Sequence, residues 1–285
     1  MSEEKSIQEK IIMITGANSG IGKATALGLA EMGATIVMVG RSKERSEIAL
    51  KEIKEQTRNP NIDLIIADLS SQKDIRNLVK EFKNKYQKLD VLINNAGIIL
   101  SKRQESADGI EMQLAVNHLA PFLLTNLLID ILKASTPARV IMVSSNMHKG
   151  AKLDFSDLQS KKKYNAFKTY GTTKLALTII TYEFARRLEG TGVTVNALHP
   201  GVIKTNLGRD MNWFMRGFTK VFFKSPKKGA QTSIYLATSP EVEGITGKYF
   251  ASKREEKSSN ATYNEEVAKR LWQISVELTN LKITI

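Results

Sequence analysis

Two side chains that could exchange a proton lie four residues apart in the sequence, Tyr170 and Lys174. On a helix, this spacing places the phenol and the ammonium on the same face. A phenol normally titrates near pH ~10, and a neighbouring ammonium favours the phenolate and lowers its pKa. The pair therefore predicts a general acid/base, although the same spacing also occurs on solvated faces of ordinary helices.

A glycine-rich turn near the N-terminus is a second feature with chemical consequences. It contains Gly16, Gly20 and Gly22 and follows the apolar run 11–15. Glycines here let the backbone approach a pyrophosphate, and the N–H groups that begin the next helix bind the anion. The spacing is G-x-x-x-G-x-G rather than the dinucleotide fingerprint G-x-G-x-x-G. A phosphate-binding turn is predicted, and a glycine turn without a ligand is the alternative.

The surrounding elements must position these residues. Short β-branched runs alternate with longer amphipathic segments, which is typical of right-handed βαβ crossovers in a parallel sheet. We therefore expect one doubly wound α/β domain over residues 1–285, with a Rossmann-type parallel sheet of about seven strands and helices on both faces. The predicted strands cover residues 11–15, 35–39, 62–67, 91–93, 139–143, 193–198 and 248–251. The predicted helices cover residues 21–32, 43–57, 72–86 with Ser71 as its cap, 109–132, 166–188 and about 264–281.

Further motifs follow the predicted strands in order. They are Asn94-Asn95-Ala96-Gly97 after the fourth strand, Asn117 within VNHLAPF, Ser144-Ser145 after the fifth strand, and Pro200-Gly201 leading to Thr205. With the glycine turn and the Tyr–Lys pair, these motifs make the chain resemble the short-chain dehydrogenase/reductase family over nearly its whole length. The likeness is greatest to retinol-dehydrogenase-type members, because segments 154–159 and 188–194 look like insertions found in them.

The resemblance implies a role for each of four residues. Tyr170 would exchange the proton, and Lys174 would lower its pKa and hold the nicotinamide ribose. Ser145 would hydrogen-bond the substrate oxygen, and Asn117 would hold a water in a proton relay. Hydride transfer to a carbonyl builds negative charge on oxygen, so positioned donors stabilise that charge. Ser144 is the alternative to Ser145, and either serine alone could be an ordinary loop hydroxyl.

The end of the second predicted strand bears on cofactor choice. An acidic residue there binds the ribose 2′-OH of NAD, whereas a nearby arginine accommodates the 2′-phosphate of NADP. Here Val39-Gly40 is followed by Arg41 and Lys43, with no acid before Glu44. Two solvated charges are the alternative, but cations at a helix N-terminus are unfavourable without an anion. We expect NADP(H), with NADPH preferred over NADH.

The resemblance extends the cofactor site to other strand ends. Asp68 and Leu69 would contact the adenine, while Thr205 and the backbone after Pro200-Gly201 would lie near the nicotinamide carboxamide. Asp68 could instead be a helix or turn cap, and Pro200-Gly201 an ordinary turn. The full expected contact set is Gly16, Asn18, Ser19, Gly20, Ile21, Gly22, Arg41, Lys43, Asp68, Leu69, Asn95, Ala96, Gly97, Tyr170, Lys174, Pro200 and Thr205.

Composition excludes several other kinds of site. The chain has no cysteine, and its three histidines, His118, His148 and His199, are far apart in sequence, so no metal site is expected. The net charge is +13, but the basic residues are scattered and form no nucleic-acid motif. No apolar run predicts a transmembrane helix, and the polar N-terminus lacks a signal-peptide pattern. We expect a cytoplasmic protein with an anionic cofactor and no nucleic-acid partner.

Segment 206–224 is the predicted substrate lid. Apolar residues recur there at helical spacing and basic residues occupy the opposite face, namely Phe214, Phe218, Val221 and Phe222 against Arg216, Lys220 and Lys224. Such a helix would suit a lipophilic carbonyl or alcohol and could also contact an anionic membrane surface. A core-packed helix is the alternative. A homo-oligomer formed through the helices that contain Asn117 and Tyr170 is implied by the resemblance.

These features together predict an NADP(H)-dependent oxidoreductase. It would interconvert a carbonyl and an alcohol on a lipophilic small molecule, for example a retinoid-like or steroid-like compound. Two alternatives stay open. One is a non-enzymatic dinucleotide-binding sensor, because fold does not fix function, and the other is a reductase of C=C bonds. The presence of Tyr170, Lys174, Ser145 and Asn117 together favours an enzyme over a sensor.

Overall fold

A twisted sheet of eight strands lies at the centre of the computed structural model, which describes residues 7–201 and 225–282. The strands are β1 (Ile11–Thr15), β2 (Thr35–Gly40), β3 (Ile62–Ile66), β4 (Val91–Asn94), β5 (Ala138–Val143), β6 (Val193–His199), β7 (Tyr249–Ala251) and β8 (Arg254–Glu256). Their order is β3-β2-β1-β4-β5-β6-β7-β8, and all neighbours are parallel except β7 and β8. The strand order reverses direction between β1 and β4, where doubly wound folds bind ligands.

All but the last of the described helices lie between successive strands of the sheet. They are α1 (Gly20–Glu31), α2 (Lys43–Thr57), α3 (Gln72–Lys85), α4 (Met112–Leu114), α5 (Ala120–Leu127), α6 (Ile129–Ala134), α7 (Ala166–Arg187), α8 (Pro226–Thr238) and α9 (Glu265–Leu278). Polar side chains begin several of them. The Ser71 hydroxyl accepts from the Asp74 N–H at 3.2 Å, as expected for an N-cap.

Alternate strand residues face opposite sides of the sheet, and both sides are covered. Met13 and Leu92 pack into a core with side chains of α3, α5, α7 and α9. Ile12 and Ile93 pack into the other core, with side chains of α1, α2 and α8. Burying one such side chain contributes about 1.5–3 kcal/mol. Burial on both faces explains why the strands are uninterrupted apolar runs, and it confirms the predicted doubly wound α/β fold.

The eighth strand is the main departure from the predicted sheet. β8 pairs antiparallel with β7 through a turn at Ser252 and Lys253, which both have positive φ, 51° and 64°. Hairpin turns of this kind usually carry Asn-Gly. The residues of β8 are all exposed and charged. Neither its turn nor its pattern therefore signals a strand, and the sequence prediction of about seven strands omits it.

The single helix predicted over residues 109–132 is wrong in detail. α4 begins only at Met112, passes into a π-helical turn at Ala115–Leu119, and continues as α5. Leu128, with φ −101° and ψ 4°, then separates α5 from α6. Apolar periodicity predicts helical residues but does not reveal where the hydrogen-bond pattern changes.

The C-terminal helix α9, predicted from the sequence, packs on α5 and α7. Trp272 is almost fully buried, with its ring 5.0 Å from that of Phe122 and 4.8 Å from that of Phe184. The Arg187 guanidinium covers the same indole at 4.1 Å. This segment therefore belongs to the main core. No helix within residues 7–201 and 225–282 is long and apolar enough to cross a bilayer.

Candidate active site

A cavity of about 480 Å³ opens at the carboxyl ends of the parallel strands, on both sides of the reversal between β1 and β4. Most of the predicted cofactor contacts line it, namely Gly16, Asn18, Ser19, Gly20, Ile21, Gly22, Arg41, Asp68, Leu69, Asn95, Ala96, Gly97, Tyr170, Lys174 and Pro200. Lys43 does not line it. Thr205 and segment 206–224 lie outside the described residues. Residues that follow six different strands are thus brought into one cleft.

The glycine turn leaves room for an anion at the start of α1. Gly20 has a φ of +55°, and a Cβ on Gly22 would lie 2.3 Å from the Gly16 carbonyl oxygen. Side chains are therefore strained at the first position and sterically excluded at the second. The Ser19 side chain makes no capping hydrogen bond, so the first N–H groups of α1 keep their donor capacity. Such a helix end fits a pyrophosphate.

Thr15 joins this turn to the loop after β4. Its hydroxyl oxygen accepts from the Asn95 N–H at 2.9 Å and from the Ala96 N–H at 3.0 Å. The Asn95 amide in turn donates to the Thr15 carbonyl oxygen at 2.8 Å. These bonds fix two walls of the cavity against each other. From the sequence, Thr15 is predicted only as a strand residue, because a threonine at a strand end carries no signal of this contact.

The end of β2 presents cations to the cavity. Arg41 lines it with a largely exposed side chain, and one guanidinium nitrogen lies 3.9 Å from a carboxylate oxygen of Asp68. Lys43 points away, since its ammonium is highly exposed and pairs at 3.9 Å with Glu47, one turn along α2. Arg45 lines the cavity instead. Arg45 is not among the residues predicted from the sequence, although it lies in the first turn of the predicted helix 43–57.

Tyr170 and Lys174 lie on one face of α7, as predicted. The Lys174 ammonium is 5.7 Å from the centre of the Tyr170 ring and donates to the Val143 carbonyl oxygen at 2.8 Å. Its side chain is only 3% exposed, whereas Tyr170 is half-buried. The bond to the end of β5 holds Lys174 across the cavity floor. Gly97 adjoins it, because a Cβ there would lie 3.4 Å from the ammonium nitrogen.

Burial dominates the proton affinities of this pair. It raises the pKa of Tyr170 to about 12, and a hydrogen bond with the Ser145 side chain offsets part of that rise. It lowers the pKa of Lys174 to about 8, because a buried ammonium loses hydration. The expected lowering of the Tyr170 pKa is therefore not seen in this site. The spacing identified the charge partner but carried no information on desolvation.

The two serines after β5 have different partners. Ser144 is buried, its hydroxyl donates to the Lys174 carbonyl oxygen at 3.1 Å, and it lies 2.8 Å from the Thr178 hydroxyl oxygen. Ser145 begins a 3₁₀ turn and accepts from the Met147 N–H at 3.3 Å. Ser145 is also the serine that hydrogen-bonds Tyr170. The hydrogen bond with Tyr170 thus favours Ser145 as the donor beside the phenol, although Ser144 rather than Ser145 lines the cavity.

Asn117 lies in the π-helical turn, and its side chain is fully engaged. Its amide oxygen accepts from the Ile98 N–H at 2.8 Å. Its amide nitrogen donates to the Ile98 carbonyl oxygen at 2.9 Å and to the Thr173 hydroxyl at 3.1 Å. The residue four positions on is Pro121, which has no N–H and so cannot give the Asn117 carbonyl an α-helical donor. Both amide hydrogens of Asn117 are bonded within the protein, so any water that it holds must donate to one of its oxygens.

The side of the cleft near Tyr170 carries exposed apolar residues. Met147, two residues after Ser145, is 40% exposed, and Phe167, one turn before Tyr170, is 44% exposed. A Cβ at Gly171 would lie 3.0 Å from the Met147 carbonyl oxygen, so the loop passes directly over this part of α7. Large apolar side chains are usually buried. Both exposed side chains lie within three residues of Ser145 or Tyr170 in the sequence.

Comparisons with known proteins agree with this geometry. A family model described as short chain dehydrogenase matches residues 10–214. Retinol dehydrogenase 14 of Homo sapiens is 44% identical over an alignment that covers 95% of this chain and 87% of that protein. Polyprenol dehydrogenase of Homo sapiens is 40% identical over 283 residues, covering 96% of this chain and 86% of that protein.

A solved structure shows the same likeness in three dimensions. The active-site complex of Pseudomonas aeruginosa RhlG with NADP superposes on this chain with a TM-score of 0.71. It is 25% identical, and the match covers 88% of this chain and 97% of that one. Sequence and structure therefore point to the same group of proteins.

Proposed function

This chain belongs to the short-chain dehydrogenase family, and from that premise we propose that it is an NADP(H)-dependent enzyme that interconverts a lipophilic carbonyl and its alcohol. Membership in this family makes it an oxidoreductase of alcohols and carbonyls that binds a nicotinamide dinucleotide. The observation that carries the finer proposal is the convergence of Tyr170, Lys174 and Ser145 beside a cleft whose far end holds Arg41.

The residues of the cleft fit a dinucleotide phosphate. The free N–H groups of α1 and the glycine cradle at Gly22 suit the pyrophosphate. Arg41 and Arg45 line the cavity where β2 ends, and a guanidinium matches phosphate oxygens bidentately. When bound, the dihydronicotinamide supplies the hydride. Two acids line the cavity, and both are paired with cations: Asp68 lies 3.9 Å from Arg41, and Glu52 pairs with Lys23.

The proton in this reaction comes from Tyr170. Reduction adds a hydride to the carbonyl carbon and leaves an alkoxide oxygen, which takes the phenolic proton to give the alcohol. A pKa of about 12 keeps Tyr170 protonated at neutral pH, so the group is ready to donate. The Ser145 hydroxyl stabilises the developing oxyanion.

Lys174 and Asn117 return the proton to Tyr170. The Lys174 ammonium, with a pKa of about 8, is an acid that can exchange protons near neutral pH. The Asn117 carbonyl, which lacks a donor from Pro121, can accept a bond from a water beside it. Gly97 separates the two, because a Cβ there would lie 3.4 Å from both Asn117 Oδ1 and Lys174 Nζ. A side chain at position 97 would therefore obstruct the relay.

The substrate class follows from the relatives and from the exposed apolar rim. Retinol and polyprenols, which give two relatives their names, both carry a primary alcohol at the end of an isoprenoid chain. Met147 and Phe167 offer apolar surface of the right kind beside Tyr170. We therefore assign isoprenoid aldehydes, and the corresponding primary alcohols, as the preferred substrates of this enzyme.

The test is a comparison of carbonyls under matched conditions. The protein is incubated with NADPH and a series of aldehydes, including all-trans-retinal, a short polyprenal, a steroid ketone and a small polar aldehyde, while NADPH absorbance is followed. The expected result is the highest kcat/KM with the two isoprenoid aldehydes. A higher value with the polar aldehyde would overturn the substrate assignment.

Product analysis separates the other two functions. An allylic alcohol as the product supports carbonyl reduction, whereas a saturated aldehyde would establish reduction of a C=C bond. Tight NADPH binding without turnover of any carbonyl would establish a dinucleotide sensor. Chromatography of the retinal reaction and a binding titration on the same preparation cover all three outcomes.

A further inference from the structure

His148 is a buried histidine next to the proposed active site, with no surface exposed to solvent. It lies in the 3₁₀ turn Asn146–Gly150 that follows Ser145. Its Nδ1 is 2.7 Å from the Ser145 carbonyl oxygen, and its Nε2 is 3.1 Å from the main-chain nitrogen of Ser259. The imidazole therefore connects the serine turn to a segment 111 residues further along the chain.

The two contacts fix the tautomer of the ring. A main-chain N–H can only donate, so the Ser259 N–H requires an unprotonated Nε2 as its acceptor. A neutral imidazole with a free Nε2 carries its proton on Nδ1. That proton points at the Ser145 carbonyl, which can only accept. Burial lowers the pKa of His148, which keeps the ring neutral. The chain of bonds thus runs from the Ser259 N–H through His148 to Ser145.

Both ends of this connection rest on fixed elements. The Ser258 hydroxyl, next to Ser259, lies 2.7 Å from the Tyr182 hydroxyl of α7. The imidazole packs on the Tyr249 ring at 4.8 Å, and the Tyr249 hydroxyl donates to the Asn146 amide oxygen at 3.0 Å. The Ser259 N–H is therefore held by the core and presents a fixed donor to His148.

We propose that His148 is a positioning residue, which bridges the Ser259 N–H to the Ser145 carbonyl and thereby sets the place of the Ser145 hydroxyl beside Tyr170. The bridge rests on the proposed function, in which Ser145 donates to the substrate oxygen. Loss of the bridge should lower kcat steeply, because a misplaced catalytic donor slows turnover. It should not change NADPH affinity, because the dinucleotide end of the cleft is unaltered. The Ser145 hydroxyl itself accepts from the Met147 N–H, but that bond lies inside the same turn and cannot orient the turn as a whole.

The first experiment removes the far end of the bridge without changing His148 or Ser145. Ser259 has a φ of −62°, which is the value proline imposes, so Ser259→Pro deletes one N–H donor from a compatible backbone. Ser259→Ala keeps that N–H and is the matched control. We expect kcat for retinal reduction to fall about tenfold in Ser259→Pro and to stay within about twofold of the parent in Ser259→Ala. The Kd for NADPH should stay within about twofold in both.

The second experiment removes the near end. In glutamine the amide oxygen is as many bonds from Cβ as His148 Nε2, so His148→Gln can still accept from Ser259 but loses the donor to Ser145. We again expect about a tenfold loss of kcat with NADPH affinity retained. Adding Ser259→Pro to His148→Gln should lower kcat no further, because one broken bond already opens the bridge. Thermal unfolding midpoints are measured for every variant, and rates are compared well below them.

A cycle with Ser145→Ala decides whether His148 acts through Ser145. If it does, His148→Gln leaves the residual single-turnover rate of Ser145→Ala unchanged. The bridge would be overturned if adding His148→Gln to Ser145→Ala lowered the single-turnover rate tenfold. It would also be overturned if His148→Gln and Ser259→Pro both kept the parental kcat. Either result would leave the proposed function standing. Parental kcat in Ser145→Ala would instead overturn the role of Ser145 in the proposed function. The two failures are therefore distinguishable.

Discussion

The preference for NADPH over NADH can be tested by substituting the two cations near the end of β2. Arg41 lines the cavity, whereas Lys43, two residues later, faces away and pairs with Glu47. Arg41→Ala and Lys43→Ala each remove one positive charge from nearly the same place in the sequence. If only Arg41→Ala weakens NADPH binding, Arg41 contacts the 2′-phosphate directly. If both variants weaken NADPH binding equally, the effect comes from the overall positive charge of the protein.

The magnitude follows from the exposure of the arginine. A hydrogen bond to a charged group contributes about 1.5–3 kcal/mol. The Arg41 side chain is 67% exposed, so solvent screening places its contribution near the lower bound. About 1.4 kcal/mol corresponds to a tenfold change in Kd. Arg41→Ala should thus weaken NADPH binding roughly tenfold. It should leave NADH, which lacks the 2′-phosphate, within about twofold.

The assay is a fluorescence titration of each variant with NADPH and with NADH at one fixed ionic strength. Lys43→Ala should change both dissociation constants by less than about twofold. Raising the salt concentration should narrow the difference between Arg41→Ala and the parent, because screening weakens the contact that was removed. Equal weakening of NADPH and NADH by Arg41→Ala, or a matching loss in Lys43→Ala, would refute the assignment of Arg41 as the phosphate reader.

Three further predictions follow from the described contacts. Gly22→Ala places a methyl 2.3 Å from the Gly16 carbonyl oxygen and should abolish NADPH binding, whereas Gly20→Ala, with no atom within 4 Å, should weaken it by at most about tenfold; equal titration curves would contradict this. Thr15→Val removes the acceptor of the Ala96 N–H and one of the two acceptors of the Asn95 N–H. It should lower the free energy of unfolding by about 2 kcal/mol, and an unchanged urea midpoint would speak against it. Burial lowers the pKa of His118 to about 3, so as the pH falls below ~6.5 the unfolded chain binds a proton that the folded chain refuses. Titration of His118 should therefore lower the free energy of unfolding by about 1.4 kcal/mol per pH unit between pH ~6.5 and pH ~3. His118→Asn should reduce the slope of the free energy of unfolding against pH. Equal slopes in the variant and the parent would exclude this contribution of His118.

The fold was largely predictable because its signals are local. Alternating apolar runs and amphipathic segments gave the doubly wound architecture, and the bounds of α2 agree with the predicted 43–57. β8 was missed because a Ser252-Lys253 turn between charged residues carries no hairpin signal. The π-helical turn at Ala115–Leu119 was missed because hydrophobic periodicity does not distinguish it from an α-helix.

The sequence predicted which residues form the site better than it predicted their side-chain directions and pKa values. Motif order brought Tyr170, Lys174 and the glycine turn together, and the structure places them around one cavity. The outward direction of Lys43 depends on its position around α2, and the raised pKa of Tyr170 depends on desolvation that only the assembled site creates. The contact of His148 with Ser259 joins residues 111 positions apart, which no local pattern reveals.

The most direct test of the account is the Tyr170→Phe variant, which removes one hydroxyl and keeps the aromatic ring. Turnover of the best isoprenoid aldehyde and the Kd for NADPH are measured on the same preparation. A positioned acid contributes about 10²–10⁴-fold to a rate, so kcat should fall by that much while NADPH affinity stays within about twofold. A kcat within about threefold of the parent would contradict the assignment of Tyr170 as the proton donor.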